Sequence, residues 1–505
     1  MDKLTLIICG LLGFLISWSL IPVIQRRFAG HSTGGTRGFH HTHATPIPRF
    51  GGVAIAAAFV VVAVMAAAFF SFEPLKSPQS WGMILGSLAM FALGLRDDFK
   101  PLDARLKLAA QFLIAGLVYA TGIQVDVFKN PLTGTAYELG AMGIAVTVLW
   151  LVVMTNLINL IDGIDGLAGG ISLMMMGLLA FVGFSNQSFS LFITVGVAGA
   201  LLGFLWYNFP PAKIYLGDGG AYFLGFLIGS LAVTNSHKGT VAAALLAPVF
   251  ALALPIADVA WAILRRGTKG LPIFRPDRKH IHHRLVDGGF SRRSAVLILY
   301  GISLLFLGLA FAVFLSRGQL VPILVGVLFL VLFASARYFG FLKDWLTVGR
   351  ELGLSLRMRK ETRYALMLCQ WLEMEAERSE SMQELWTTFL FIARKFGFSQ
   401  VRLVLDRETD FVWSNQSNSR GDSELFHRRR QDVRFANIVA IEFSAAPDAM
   451  SGAVFEHLTE LAAEAWMKAS QRWQNMSGQI VRFEPAVLNI NPLVDPGLVM
   501  VANAA

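Results

Sequence analysis

Eleven runs of about twenty mostly apolar residues lie within the first 340 positions of this 505-residue chain. They fall at about 4–24, 51–71, 80–95, 106–122, 138–158, 168–185, 189–207, 219–236, 240–264, 295–316 and 319–338. A helix of that length matches the hydrocarbon thickness of a bilayer. Inside a bilayer no water is available to the backbone, so a spanning segment must satisfy its own N–H and C=O groups, as a helix does. Residues 1–340 are therefore expected to form an all-α polytopic membrane domain of about eleven transmembrane helices. Composition agrees, with 55% hydrophobic and only 15% charged residues, where soluble domains average about a quarter charged. The first run has an apolar core but no small-residue cleavage site, and Arg26 and Arg27 follow it. It reads as the first span and not as a cleaved signal. Cys9 and Cys369 stand in unlike contexts and suggest neither a disulfide framework nor a metal cluster.

Charge orients the spans. The loops at 25–49, 96–107, 208–218 and 265–293 carry four, four, one and nine Lys/Arg, whereas the opposite loops carry only Lys76, Lys129, Lys238 and Arg317. By the positive-inside rule the first set is cytoplasmic, the N-terminus external and the C-terminal region cytoplasmic. Residues 1–339 hold 24 Lys+Arg against 13 Asp+Glu, a net of +11, while residues 340–505 hold 19 against 21, a net of −2. The basic excess thus belongs to the membrane part. It favours membrane topology and phosphate-bearing ligands over nucleic acid.

The chemistry collects on the same side. Residues 156–170 read N-L-I-N-L-I-D-G-I-D-G-L-A-G-G and present Asn156, Asn159, Asp162 and Asp165 at intervals of three. Along a helix, residues three apart are neighbours on one face, but Gly163, Gly166, Gly169 and Gly170 weaken any helix here and let the backbone come close to a ligand. Such groups at the mouth of a membrane helix are expensive unless they serve a function. Residues 94–107 read G-L-R-D-D-F-K-P-L-D-A-R-L-K. Asp97 and Asp98 repel one another unless a cation or proton intervenes, which suits Mg²⁺-linked phosphate chemistry. Lys107 is a candidate point charge for a pyrophosphate, and a salt-bridge cluster with Arg96 and Arg105 is the structural alternative. Asp218, in K-I-Y-L-G-D-G-G, is a candidate metal ligand, with a helix N-cap as its plainer role. Residues 30–52 end in H-A-T-P-I-P-R-F-G-G, where His43 and Arg49 are candidate phosphate contacts. The loop at 265–293 contains R-P-D-R-K-H-I-H-H-R-L, so Arg278, His280, His282 and His283 form a dense donor cluster. That cluster suits a sugar-nucleotide pyrophosphate better than zinc, for the loop has no Cys.

Four motifs in order, G-L-R-D-D, N-L-I-N-L-I-D-G-I-D-G-L, L-G-D-G-G and R-K-H-I-H-H-R-L, resemble the polyprenyl-phosphate N-acetylhexosamine-1-phosphate transferases of glycosyltransferase family 4 type, over roughly residues 1–340. The resemblance implies ten or eleven transmembrane helices, a cytoplasmic active site and a bacterial inner-membrane location. It also implies transfer of a sugar-1-phosphate from a UDP-N-acetylhexosamine to polyprenyl phosphate, with release of UMP and Mg²⁺ as cofactor (Mn²⁺ an alternative). Asp97 and Asp98 would orient or deprotonate the lipid phosphate, Asn159 and Asp218 would hold the metal, and Asp162 and Asp165 would serve the uridine nucleotide. Lys107 with His280, His282 and His283 would contact pyrophosphate and sugar. The H-I-H-H form looks like the branch that initiates wall and O-antigen polysaccharides, since the muramyl-pentapeptide branch has three successive histidines. The first loop departs from the family's D-x-P-N-x-R pattern and reads G-H-S-T-G-G-T-R. Membrane lipid and a second copy of the chain are further candidate partners.

Residues 341–380 read as a helical linker and 381–475 as a small cytoplasmic α+β domain. The latter has helices at 382–396 and 455–473 and strands in V-R-L-V-L, F-V-W-S and N-I-V-A-I-E-F. The order resembles a GAF sensor module. Residues 476–505 read as extended or unstructured. Two other functions are weaker. A membrane prenyltransferase would show D-D-x-x-D motifs, but Asp103 follows Asp98 at the wrong spacing. A transporter with a sensor tail would place charges at midplane, and only Asp258 comes near that. The charge pattern makes one test direct: reporter fusions after Arg284 and at Ala505 should both read cytoplasmic, and an external signal at either would overturn the assigned orientation.

Overall fold

A computed structural model describes residues 3–28, 47–129, 135–184, 189–236, 288–315, 352–405, 409–414, 427–435, 438–446, 450–477 and 498–502, with isolated positions at 256, 263, 285, 326, 329 and 330. The chain divides into two compact units, the second built mainly on Leu346–Ala505.

The first unit contains nine long helices among the described residues: α1 (Lys3–Arg27), α2 (Gly51–Phe69), α3 (Pro78–Phe99), α4 (Ala104–Ala120), α5 (Met142–Ile161), α6 (Leu167–Phe184), α7 (Phe189–Asn208), α8 (Gly217–Ser236) and α9 (Arg292–Leu315). Each coincides with one of the apolar runs. Six of them (α1, α2, α5, α6, α7 and α9) are long and apolar enough to cross a membrane. Apart from those isolated positions, the runs at 240–264 and 319–338 lie outside the described residues, as do the histidines of the 265–293 loop. A short hairpin, β1 (Val127–Lys129) with β2 (Ala136–Glu138), separates α4 from α5. It moves the start of the fifth helix from the expected 138 to Met142.

α8 is the axis of this unit. It packs against α2, α3, α5 and α6, and Phe223, Leu224, Phe226, Leu227 and Leu231 are fully buried. A helix that is apolar all round belongs in the centre of a bundle. Close approach to it is made by small residues. A Cβ at Gly52 would meet the backbone of Gly220, and one at Gly94 would meet the backbone of Asp218 and Gly219. The segment before α2 lies along the segment before α8: Tyr215 N–H donates to the Pro48 carbonyl, while Gly51 and Gly52 N–H donate to Tyr215 and Leu216, each at 2.9 Å. The start of α2, the end of α3 and the start of α8 thus meet at one end of the bundle.

The second unit has three helices, α10 (Leu352–Glu375), α11 (Met382–Lys395) and α12 (Gly452–Ser477), and a sheet. Ser381 caps α11 by accepting from Glu384 N–H at 3.2 Å, and the Glu384 carboxylate reaches back to Glu380 N–H at 2.9 Å. This is a capping-box arrangement. The five strands run in the order β5–β6–β3–β4–β7 and are antiparallel: β3 (Gln400–Leu405), β4 (Thr409–Ser414), β5 (His427–Phe435), β6 (Ile438–Ala445) and β7 (Leu498–Ala502). β5 and β7 were not anticipated from the sequence. β5 reads H-R-R-R-Q-D-V-R-F, and Glu442 of β6 lies opposite Arg430 of β5 and Arg402 of β3, with ion pairs of 3.7 Å to each. Cross-strand charge pairing lets so basic a segment join a sheet. The core holds Trp386, Phe389 and Trp466, with ring centroids 5.0 Å apart between Trp466 and each of the others.

Candidate active site

The site is built where α3 meets the start of α8. Gly217 has a φ of +77°, and a Cβ there would strike the Arg49 carbonyl and crowd the Asp98 carboxylate. Only glycine fits that position. Immediately after it, the first N–H groups of α8 need acceptors, as at any helix start. Asp98 supplies both: its Oδ1 accepts from Asp218 N–H and its Oδ2 from Gly219 N–H, each at 2.9 Å. A carboxylate at a helix N-terminus also complements the helix dipole.

Asp97 points elsewhere. It is buried, its Oδ1 accepts from Leu102 N–H at 2.7 Å, and its Oδ2 pairs with Lys107 Nζ at 2.5 Å. Its carboxyl group lies close to that of Asp218. Two carboxyl groups that close require a proton or a cation between them. Arg96 donates to the Lys100 carbonyl, and Arg105 offers its backbone N–H to Asp103, which caps α4 at 2.9 Å. Among the described residues Arg96 and Arg105 thus contact backbone and cap, while Lys107 pairs with Asp97.

The D-G-I-D-G stretch leaves the helix, its glycines weakening any helix here. α5 stops at Ile161 with Asp162 as its C-cap, and Gly166 has a φ of +80°, so the chain turns between Asp162 and Gly166. Asn156 faces away from the turn: its amide donates to Gln111 Oε1 at 2.6 Å and to the Val152 carbonyl. Asp165 is buried and accepts from Ala212 N–H at 3.0 Å. Asp162 stays on the acidic side. Burial and then the nearby Asp98 charge lift its carboxyl well above the usual carboxylate range; Arg49 opposes the shift and Asp165 adds to it.

Asn159 sits in the last turn of α5. α5 and α8 are antiparallel, with Gly225 against Met154 and Thr155, and Gly229 against Leu151 and Met154. Asn159 lies one turn beyond Thr155 on the same face of α5, toward the end of the helix.

The structure therefore gathers Asp97, Asp98, Lys107, Arg49, Asp162, Asp165 and Asp218 at one end of the bundle, with Asn159 in the last turn of α5. Arg278, His280, His282 and His283 lie outside the described residues. Two groups join the site that sequence reasoning passed over. Tyr215 lies within electrostatic reach of Asp165, Arg292, Arg49 and Asp162. Arg292 opens α9 beside it. Tyr215 stood inside the quoted K-I-Y-L-G-D-G-G motif, three residues before Asp218, and only its acidic neighbour was taken up.

The donor set fits Mg²⁺. Among the described residues no three His, Cys, Asp or Glu side chains form a closed metal cage. Instead Asp218 and Asp97 offer a pair of hard oxygen ligands, and Mg²⁺ commonly takes one or two carboxylates and leaves its other positions to water and phosphate.

A polytopic helical bundle with clustered carboxylates and Lys/Arg donors at one end defines a membrane enzyme site for phosphate chemistry. The family model for glycosyl transferase family 4 matches residues 80–236, the stretch from α3 to α8 that carries most of this site. A Bacillus subtilis (strain 168) protein described as a probable undecaprenyl-phosphate N-acetylglucosaminyl 1-phosphate transferase is 33% identical over 302 residues, covering 60% of this chain and 83% of that protein. The decaprenyl-phosphate N-acetylglucosaminephosphotransferase of Mycobacterium tuberculosis (strain ATCC 25618 / H37Rv) is 32% identical over 312 residues, 57% of this chain and 77% of its own. The phospho-N-acetylmuramoyl-pentapeptide-transferase of Bacillus subtilis (strain 168) is 28% identical over 314 residues, 60% of this chain and 94% of its own. The chain belongs to glycosyl transferase family 4.

The capping geometry separates two aspartates that look alike in sequence. Asp98→Asn turns one acceptor into an NH₂ facing a backbone N–H, so thermal unfolding in detergent should show a loss of about 1–3 kcal/mol. Asp103→Asn should unfold as the parent does, because Asn caps a helix as well as Asp. Equal behaviour of the two variants would contradict the assigned roles.

Proposed function

We propose that the chain transfers N-acetylhexosamine-1-phosphate from a UDP-sugar to a polyprenyl phosphate such as undecaprenyl phosphate, initiating a cell-surface polysaccharide. The observation that carries this reading is the convergence of Asp97, Asp98, Asp162, Asp165 and Asp218 with Arg49 and Lys107 at one end of a membrane helix bundle. Higher identity to the two N-acetylglucosamine-phosphate transferases than to the muramoyl-pentapeptide one supports N-acetylglucosamine as the sugar.

In this reaction an oxygen of the lipid phosphate bonds to the sugar-bearing phosphorus of the donor. The bond from that phosphorus to the bridging oxygen breaks, and the bridging oxygen leaves with UMP. Nucleophile and electrophile are both anionic, so positioning and charge compensation supply most of the catalysis. Lys107, released from Asp97, would pair with a donor or acceptor phosphate, and Arg49 would approach the same anions from the start of α2. Asp162 and Asp165 would serve the uridine nucleotide. Asp98 would act through α8, holding Asp218 in place. Asp218, Asn159 and Asp97 would hold Mg²⁺ (or Mn²⁺), which when bound supplies charge neutralisation at the pyrophosphate. The histidines of the loop before α9 would complete the pyrophosphate and sugar contacts.

The same reading places the acidic end at the cytoplasmic face of a bacterial inner membrane. It keeps eleven spans with an external N-terminus, and it makes the second unit a cytoplasmic sensor-like domain.

The test is UMP release from UDP-N-acetylglucosamine with polyprenyl phosphate in detergent. Asp218→Asn keeps shape and removes charge, so turnover should fall by about 10²–10³. Chelation of divalent cations should abolish the parent activity. Full activity in Asp218→Asn, or activity indifferent to chelation, would contradict the proposal.

A further inference from the structure

We propose that Tyr300, on α9, is a positioning residue that sets the nucleotide side of the site from outside the acidic motifs. The inference rests on the reaction proposed above, in which Asp162 and Asp165 serve the uridine nucleotide.

Tyr300 Oη donates to the Gly166 carbonyl at 2.5 Å. Gly166 is the positive-φ residue that closes the D-G-I-D-G turn, so the direction of its carbonyl reports the shape of the turn. On its other side, Gly166 N–H donates to Asn208 Oδ1 at 3.0 Å, and Asn208 Nδ2 donates to the Ile214 carbonyl at 2.8 Å. Asp165 accepts from Ala212 N–H at 3.0 Å. The turn is thereby tied to the 209–216 segment that leads into Asp218. α9 holds that segment as well: Arg293 Nε donates to the Pro210 carbonyl at 2.6 Å. Arg293 and Tyr300 are seven residues apart, two turns along one helix face. One face of α9 therefore holds both the turn with Asp162 and Asp165 and the segment carrying Tyr215.

Space for the phenol is also reserved. A Cβ at Gly170 would fall on the Tyr300 hydroxyl and ring. A purely structural phenol would only need some acceptor for its O–H. Here the acceptor already has a partner, because Gly170 N–H donates to the Gly166 carbonyl at 2.9 Å. Losing the hydroxyl therefore orphans no buried carbonyl. Its main consequence is freedom of the turn, and that falls on the aspartates of the nucleotide side.

The experiment uses the full chain in detergent, quantified as folded, monodisperse protein. UMP release is measured against UDP-N-acetylglucosamine at saturating polyprenyl phosphate, and then the reverse. Tyr300→Phe should raise the donor KM roughly three- to tenfold, the effect of one neutral hydrogen bond, and leave the acceptor KM within about twofold. Gly170→Ala keeps the tyrosine but displaces its ring, and should give the same donor-specific rise. Combining Tyr300→Phe with Asp165→Asn should give less than the product of the single effects, since both loosen one turn. A parental donor KM in both Tyr300→Phe and Gly170→Ala would overturn the inference. So would a loss confined to kcat, or one shared equally by both substrates, because that is what a merely structural tyrosine produces. Absence of UMP release by the parent chain would instead overturn the proposed reaction, and with it the role assigned to Tyr300.

Discussion

The start of α8 is the point on which the rest of the site depends. A helix beginning inside a membrane protein exposes N–H groups that neither water nor lipid can satisfy. Asp98 satisfies two of them from the end of α3, and Gly94, one turn earlier, lets the two backbones touch. That contact fixes Asp218 beside Asp97, and the Asp97–Lys107 pair then fixes where α4 begins. The pairing of 48–52 with 215–216 brings Arg49 to the same place. In the proposed reaction a carboxylate that caps a helix in this way would act by geometry, through the placement of Asp218.

Much of the first unit was legible because length and hydropathy act locally. Every apolar run within the described residues is a helix, with ends shifted by a few residues where a proline, a glycine or a hairpin intervenes. The acidic motifs were legible as a set because carboxylates at membrane-helix ends are costly and rarely incidental. Their individual partners were not. Asp98 and Asp218 are 120 positions apart, and nothing local to either announces their hydrogen bond. The D-G-I-D-G stretch misled for the opposite reason. Its spacing of three mimics a helical repeat, yet α5 ends at Ile161 with Asp162 as its C-cap, which leaves Asn156 in the helix and Asp162 and Asp165 in the turn beyond it. Arg293 and Tyr300 sit in an ordinary apolar helix, and only the fold shows what they touch.

The second unit shows the same division. The helices at 382–396 and 455–473 follow from local pattern, whereas the Trp386–Phe389–Trp466 contact joins positions about 80 residues apart that only the fold brings together. β5 was hidden because its strand character comes from Glu442 across the ladder and not from β-branched residues. β7 lies far along the chain from β4, its partner, and a short apolar run such as L-V-M-V-A carries little signal alone.

In the proposed reaction, groups from separate loops, Asp218 foremost, would hold one divalent ion against the donor pyrophosphate. Mn²⁺ in place of Mg²⁺ makes this directly observable by electron–nuclear double resonance on the full chain with UDP-N-acetylglucosamine bound. The account expects a ³¹P hyperfine coupling from the donor phosphates to protein-bound Mn²⁺, and expects it to vanish in Asp218→Asn at the same Mn²⁺ concentration. Protein-bound Mn²⁺ without ³¹P coupling, or a coupling unchanged in Asp218→Asn, would contradict it.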